Sequence, residues 1–436
     1  MLRATPTNCR SCAGSRPGTS KGPYCVDMTS AATPGRGRLG RLDALRGVAA
    51  VVVLVHHVSM TVPQIAAAYE SSAGVTVYSV GWWTTLSPLK VLLAGPEFVL
   101  VFFVLSGFVL VRSPLAARWN GARYDWVAYY VRRVIRLAVP VLVSVGLAVI
   151  WIVLVPRTVG AAGGPWLARQ DTPDLGLGNL LREASIIGET RRPDINPPLW
   201  SLVWEMWFSL LLPVFVALAA FTRSLVSAPV RRVLLWAAFW CALAGLGYVT
   251  TTQALMYLPP FALGALLAAN FDELQRCSER LAERASGRLL GFALAALGPF
   301  LLVAYWMLRP LTNGAWSDVT LSLRVAGAFV IVATVAFWPA AQRVSGPRLS
   351  GHWPRRLLTW LGSISFSLYL VHFPIVVAFA LLAGPGRWWL GALVSVPLSL
   401  LMAQAMTRWV ERPAQVYGTR AGASVSERML RLAPRR

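Results

Sequence analysis

The sequence is poor in charged residues, and acidic residues are the scarcest of them. Asp, Glu, Lys and Arg make up 14% of the 436 residues, whereas an average soluble domain contains about 25%. So few charges exclude an ordinary soluble enzyme, and the 56% of hydrophobic residues excludes a disordered polyelectrolyte. The 41 Lys and Arg outnumber the 18 Asp and Glu, which leaves a net charge of +23. In a soluble protein this excess would indicate nucleic-acid binding. In a chain this hydrophobic it favours a membrane protein with basic cytoplasmic loops.

Cysteine and histidine are also scarce, with 5 and 4 residues in the chain. Cys9 and Cys12 form a Cys-x-x-Cys pair, but no second pair or nearby histidine completes the four ligands of a zinc site. Residues 1–40 are rich in Gly, Ser, Thr, Pro and Arg and contain no apolar run. We therefore predict a disordered basic N-terminal tail over 1–40, no metal site and no tightly bound cofactor.

Long apolar segments follow this tail, and each is long enough to cross a bilayer as a helix. There are ten, at 46–62, 91–111, 137–155, 198–220, 233–250, 254–270, 289–308, 319–338, 357–383 and 389–409. The pattern predicts an all-α, polytopic integral membrane protein with about ten transmembrane helices. Its transmembrane domain covers 41–413, and a basic cytoplasmic tail covers 414–436.

The basic residues predict the orientation of these helices. An even number of crossings places both termini on one side of the membrane. If the termini are cytoplasmic, 32 of the 41 Lys and Arg lie on the cytoplasmic side and the acidic residues divide equally. The positive-inside rule therefore predicts cytoplasmic termini in a multi-pass protein of the cytoplasmic membrane. The net charge is then mainly an orientation signal, and the predicted partner is the lipid bilayer rather than nucleic acid.

The first helix carries one stripe of ionisable residues. At 100° per residue, Arg46 and His57 differ by about 20° and Asp43 lies about 40° from His57, whereas His56 lies about 80° from Arg46 on the other side. Ionisable groups at bilayer depth are costly and usually face a functional cavity. A neutral histidine there is a candidate general base. A hydrogen-bonded structural histidine is the alternative.

Two further helices carry polar stripes. Ser201, Glu205 and Ser209 recur at i, i+4 and i+8 on the fourth helix, and a buried carboxylate there needs a partner. Glu205 is predicted to orient a histidine, to bind a sugar hydroxyl or to form a structural ion pair. Tyr369 and His372 share a stripe with Ser365 on the ninth helix, where hydrogen bonds between helices are the alternative to substrate binding.

Two other features lie closer to the membrane surfaces. Arg132, Arg133 and Arg136 begin the third helix, where they bind the phosphates of a cytosolic donor or simply follow the positive-inside rule. The outer segment 156–197 is long and mixes charges with Gly and Pro, so it forms either a lid or a connector.

Together these segments resemble the acyltransferase-3 family, the bacterial membrane O-acyltransferases that modify glycans. The family signature is an Arg and a His separated by ten residues on the first helix, as Arg46 and His57 are. Further matches, in family order, are Arg41-x-Asp43-x-Leu-Arg46-Gly47, Phe102-Phe103-Val-Leu-Ser106-Gly107-Phe108, Arg132-Arg133-x-x-Arg136, Trp200-Ser201-Leu-x-x-Glu205, Phe261-x-x-Gly264, Ser365-Phe-Ser-Leu-Tyr369-Leu-Val-His372 and Glu411-Arg-Pro413. The chain departs from the pattern at Pro140, which follows Arg136 by four residues instead of three, and at Ser209, where a Tyr is common.

The resemblance implies transfer of an acyl group, acetyl above all, from acyl-coenzyme A to a carbohydrate hydroxyl. His57 would be the catalytic base or carry the acyl group transiently, oriented by Asp43 or another acid such as Glu205. Arg46 would bind the donor phosphates or assist electrostatically. The matched motifs add Arg132, Arg133, Arg136, Ser106, Trp200, Tyr369 and His372 as candidate substrate-binding residues. The alternative is a ten-helix secondary transporter of a small polar solute, because buried acids and histidines also suit proton-coupled transport.

Overall fold

The computed structural model describes residues 36–155, 157, 163–170, 173–187, 193–312, 316–338 and 353–432. Every regular element in these ranges is helical, and none of them contains a strand. The predicted tail 1–40 lies outside the described residues as far as residue 35. From Arg36 onward the chain is part of the first helix, which includes the last five residues of that predicted tail.

The helices of the described chain differ widely in length. In chain order they are α1 (Arg36–Met60), α2 (Pro63–Glu70), α3 (Gly95–Trp119), α4 (Trp126–Leu154), α5 (Gly164–Ala168), α6 (Leu177–Ser185), α7 (Trp200–Leu210), α8 (Leu212–Leu225), α9 (Pro229–Val249), α10 (Gln253–Ala269), α11 (Phe271–Ala282), α12 (Ala285–Thr312), α13 (Ser317–Phe337), α14 (Trp353–Ala383), α15 (Trp388–Met406) and α16 (Arg412–Leu432). Short 3-10 helices cover Pro88–Leu93 and Pro197–Leu199, and π-helical turns cover Trp82–Leu86 and Thr407–Glu411.

Eight of the described helices are long and apolar enough to cross a membrane, and two bent helix pairs bring the number to ten. The pair α7–α8 bends by 66°, and the pair α10–α11 bends by 72°. Each of the ten predicted segments overlaps one of these helices or pairs. The prediction of an all-α, multi-pass membrane protein is therefore confirmed, whereas the cytoplasmic location of the termini stays a prediction from the charge distribution.

Close contacts between helix backbones position the centre of the bundle. The spans in α3 and α14 are the most enclosed, with 72% of each apolar window buried. A Cβ atom added to Gly47 of α1 would lie 2.6 Å from the backbone nitrogen of Gly362 in α14. Because these two backbones touch, side chains from α1 and α14 face each other further along the helices. The same kind of contact joins α3 to α10 through Gly107 and Gly264.

Two chain breaks differ from the predicted segments. The second span begins at Gly95 instead of residue 91, because Pro96 has no N–H and is most favourable in the first turn of a helix. The fourth predicted segment is broken near Leu211, where α7 ends and α8 begins with a proline at its N-terminus. The C-terminal segment forms the helix α16, which packs on α4 through Gly418 and Gly422.

Candidate active site

An outer cavity of about 530 Å³ contains His57. Aromatic rings form much of its lining. The helix α5 and the chain around Pro193 and Asp194 complete it. The ring of Trp166, in α5, lies 6.1 Å from the His57 ring between centroids. The described part of the segment 156–197 therefore packs over this histidine, and its role as a lid stays a prediction.

The partners of His57 determine which nitrogen carries its proton. Nδ1 of His57 lies 3.0 Å from the carbonyl oxygen of Val53 and 3.0 Å from Nε2 of His372. His372 in turn places its own Nδ1 2.9 Å from the carbonyl oxygen of Leu368. A carbonyl only accepts hydrogen bonds, so Nδ1 of each ring is the protonated nitrogen and Nε2 of His372 accepts from His57. Nε2 of His57 is left with a free lone pair, which is the form that a general base requires.

Asp43 is distant from this histidine pair. It is exposed, and it lies 14 residues before His57 on α1, which is about 21 Å along the helix axis. The helical wheel correctly places both residues on one stripe of α1, but residues so far apart along the axis do not touch. The groups that contact His57 are Val53 and His372, so Asp43 does not orient His57 by a direct contact.

Glu205 forms a buried ion pair and does not contact either histidine. Its Oε1 accepts from Nη2 of Arg133 at 2.6 Å, and the side chains of Arg133 and Glu205 are 7% and 16% exposed. Nε of Arg133 also donates to the hydroxyl of Ser209 at 2.8 Å. The hydroxyl of Ser106 lies 3.5 Å from the same carboxylate oxygen. Of the predicted alternatives for Glu205, the structural ion pair is the one found, and Ser209 supports the arginine.

The other three arginines of the predicted set have different surroundings. Arg132 forms a hydrogen bond with Tyr124, and its backbone and Cγ lie against α16. Arg46 lines a small inner pocket of about 40 Å³ together with Ser106 and Glu205. Arg136 is close enough to interact electrostatically with four charged groups, those of Arg133, Arg46, Glu411 and Glu205. Neither Arg46 nor Arg136 has a hydrogen bond or ion pair within the described chain, so both remain available to an anion.

Tyr369 lies at the boundary between the outer cavity and the inner pocket, and it lines both together with Val99. Its hydroxyl lies 2.7 Å from the hydroxyl of Ser201 and 3.0 Å from the carbonyl oxygen of Pro198. Trp200 also lines the outer cavity and packs against Tyr257 with 5.0 Å between ring centroids. The His57 side and the Arg46 side of the predicted stripe thus open into two adjacent spaces.

Residues 39–408 match the family described as an acyltransferase domain, acyltransferase-3. The chain belongs to the acyltransferase-3 family. This match confirms the resemblance. A protein of Bacillus subtilis (strain 168) named "Putative peptidoglycan O-acetyltransferase YrhL" is 22% identical to this chain over 339 residues, which is 74% of this chain and 50% of that protein. The chain therefore spans about half the length of that curated relative. No solved structure matches it.

Hydrogen bonds from two charged side chains, Glu183 and Arg157, hold the chain around Asp194 and Ile195 next to the outer cavity. The Glu183 carboxylate accepts from the backbone N–H groups of Asp194 and Ile195 at 2.6 and 2.8 Å, and Arg157 donates to the carbonyl oxygens of the same two residues at 2.9 Å. Burial raises the pKa of Glu183, although its backbone hydrogen bonds oppose that shift. Burial also lowers the pKa of Arg157 to about 10. These contacts fix the chain that leads into Pro197 and α7.

Sequence reasoning missed His56. It lies on the flank of the predicted stripe, yet it lines the same outer cavity as His57. The ring centroids of His56 and His57 are 5.1 Å apart. The break before α3 is the signal that could have found it, because the carbonyl of Leu93 is left outside the helix and binds Nδ1 of His56 at 2.9 Å.

No group of three His, Cys, Asp or Glu side chains among the described residues is arranged to hold a metal ion.

Proposed function

We propose that this acyltransferase moves an acyl group, acetyl in the first instance, from acyl-coenzyme A to a hydroxyl of a carbohydrate. The observation that carries the proposal is the free Nε2 lone pair of His57 in a covered outer cavity, next to an inner pocket that contains Arg46. The donor approaches from the predicted cytoplasmic side and the acceptor from the outer side of the cytoplasmic membrane.

The general base solves the main chemical difficulty of this reaction. A sugar hydroxyl is a weak nucleophile at neutral pH, so its proton has to leave as the oxygen attacks the thioester carbonyl. Nε2 of His57 accepts that proton while Nδ1 remains bound to Val53 and His372. The tetrahedral intermediate then expels the thiolate of coenzyme A, which takes the proton from His57. The products are the sugar ester and the free thiol.

The donor side is proposed from the available positive charge. Arg133 is neutralised by Glu205, whereas Arg46 and Arg136 have no carboxylate contact among the described residues. Guanidinium groups bind phosphate oxygens in a bidentate manner, which suits the phosphates of coenzyme A. The inner pocket of about 40 Å³ holds little more than a water molecule. It therefore has to widen before a thioester can reach the boundary at Tyr369.

The acceptor side is proposed from the size and lining of the outer cavity. A volume of about 530 Å³ lies within the range of small-molecule sites. Trp166 and Trp200 offer flat apolar faces, while Gln170 and Asp194 offer polar groups in the same cavity. This mixture suits a sugar, whose rings have apolar C–H faces and polar edges. The name of the Bacillus subtilis relative supports a glycan acceptor and an acetyl group.

Labelled acetyl-coenzyme A tests the proposal. Membranes that contain wild type, His57→Ala or Val55→Ala would be incubated with the label and a glycan extract of the host. Val55 is a matched control because it is exposed on the same helix two residues away. We expect label in the glycan with wild type and Val55→Ala, and about 100-fold less with His57→Ala, the usual contribution of a general base. Equal labelling by His57→Ala would contradict the role of His57. Uptake of solute without esterification would favour a transporter.

A further inference from the structure

We propose that His56 is a second substrate-binding residue. It accepts a hydrogen bond from a hydroxyl next to the one that His57 deprotonates, so that the enzyme selects acceptors with two neighbouring hydroxyl groups. This inference rests on the proposed function, because it requires the acceptor to occupy the outer cavity. It adds the arrangement of hydroxyl groups by which the acceptor is recognised.

The hydrogen bonds of the three histidines distinguish their roles. Both ring nitrogens of His372 are engaged, by Leu368 and by His57. His56 is engaged only at Nδ1, which donates to the carbonyl oxygen of Leu93. Its Nε2 is therefore unprotonated, and it has no hydrogen-bond partner in the part of the chain that the structure describes. His57 has the same arrangement, with Nδ1 bound and Nε2 free.

The ring of His56 is held rigidly, although only one of its two nitrogens has a hydrogen-bond partner among the described residues. A Cβ atom added to Gly95 would lie 2.7 Å from three atoms of the His56 side chain, so only glycine leaves room for this ring. Nζ of the buried Lys90 donates to the same Leu93 carbonyl at 3.3 Å. The ring of Tyr69 packs on His56 with 5.4 Å between centroids. His56 is only 4% exposed. Because its ring cannot rotate, its Nε2 keeps one fixed orientation.

Two fixed acceptors in one cavity require a ligand with two donors. The two rings line the same cavity and are 5.1 Å apart between centroids, so two neighbouring hydroxyl groups of one sugar can each reach one ring with a hydrogen bond of ordinary length. A ligand without the second hydroxyl would leave Nε2 of His56 unpaired and shielded from water. Sites built to hold a polar group reject analogues that lack it. We expect about 10- to 100-fold discrimination from one such lost hydrogen bond.

Two substitutions of His56 separate binding from packing. The amide of asparagine reaches the place of Nδ1, so His56→Asn keeps the bond to Leu93 and lacks Nε2. The amide of glutamine reaches the place of Nε2, so His56→Gln keeps an acceptor in the cavity and loses the bond to Leu93. Substrate binding therefore predicts the larger loss for His56→Asn, and a purely structural role predicts the larger loss for His56→Gln.

The experiment uses the full chain in membranes, labelled acetyl-coenzyme A and the host glycan extract, with NMR of the purified product. We expect wild type to form one ester, next to a free hydroxyl. His56→Asn should label about 10- to 100-fold less and give a mixture of positions, and His56→Gln should recover the single position. A wild-type ester without a free neighbouring hydroxyl would overturn the inference, and so would an unaffected His56→Asn or a larger loss in His56→Gln. An extract left unlabelled by wild type would instead overturn the proposed function, and this inference with it.

Discussion

Replacing His372 by phenylalanine tests whether the histidine pair prepares the catalytic base. The change keeps a ring of similar size and removes the Nε2 atom that accepts from His57 at 3.0 Å. Because His57 becomes positively charged when it takes the proton, the change removes a hydrogen bond to a charged group, which is worth about 1.5–3 kcal/mol, or roughly a 10- to 150-fold lower kcat at about 1.36 kcal/mol per factor of ten. The upper limit lies far below the roughly 10⁴-fold effect of forcing the wrong tautomer on a triad histidine. The reason is that the Val53 carbonyl still holds Nδ1 of His57 in its protonated form.

The assay would measure initial rates of labelled ester formation against the concentration of acetyl-coenzyme A. We expect kcat to fall within that interval and KM for the donor to stay close to the wild-type value, because His372 does not line the inner pocket. Val55→Ala serves as the folding control, and His57→Ala gives the lowest kcat expected when the base is lost. A kcat within twofold of wild type would refute the positioning role. A loss as large as that of His57→Ala would show that His372 takes part in the chemistry itself.

Three further predictions concern packing and charge. Gly107→Ala would place a methyl carbon 2.0 Å from a backbone oxygen of α10, whereas Gly146→Ala meets no atom within 4 Å. The first should therefore lower the melting temperature in detergent and cost about 1–3 kcal/mol, and the second should not. Glu205→Gln should destabilise the protein by about 3–5 kcal/mol by leaving Arg133 unpaired, and combining it with Arg133→Met should restore much of the melting temperature. Arg46→Ala should raise KM for acetyl-coenzyme A by roughly tenfold, the effect of one lost charge-assisted hydrogen bond. An unchanged KM would exclude Arg46 from donor binding.

Apolar segment length predicted the spans well, because a bilayer requires about 20 apolar residues for each crossing whatever the helix packs against. Boundaries failed where local chemistry determines them, as at Pro96, which moves the start of the second span to Gly95. The break at Leu211 was also missed, since the residues on both sides of it are equally apolar.

The site was predicted less completely, because contacts between distant helices have no periodic signal in the sequence. The helical wheel identified His57 correctly as a residue that faces the interior. It could not show that a histidine 315 positions away on another helix binds its Nδ1. It discounted His56 by its angle, although the chain that precedes α3 turns that flank into part of the cavity. Asp43 lies on the same stripe of α1 as His57 but at a different depth along the helix axis.

The boundary at Tyr369 also has a consequence for membrane permeability. An enzyme that receives substrates from opposite faces would dissipate the proton gradient if its two spaces joined through a column of water. Between them lie Val99 and Tyr369, whose hydroxyl is bonded to Ser201 and Pro198. Protein partners already occupy these polar groups, so few are left to support a chain of water molecules. The same contacts that separate the two substrates would thus keep the resting membrane impermeable to ions.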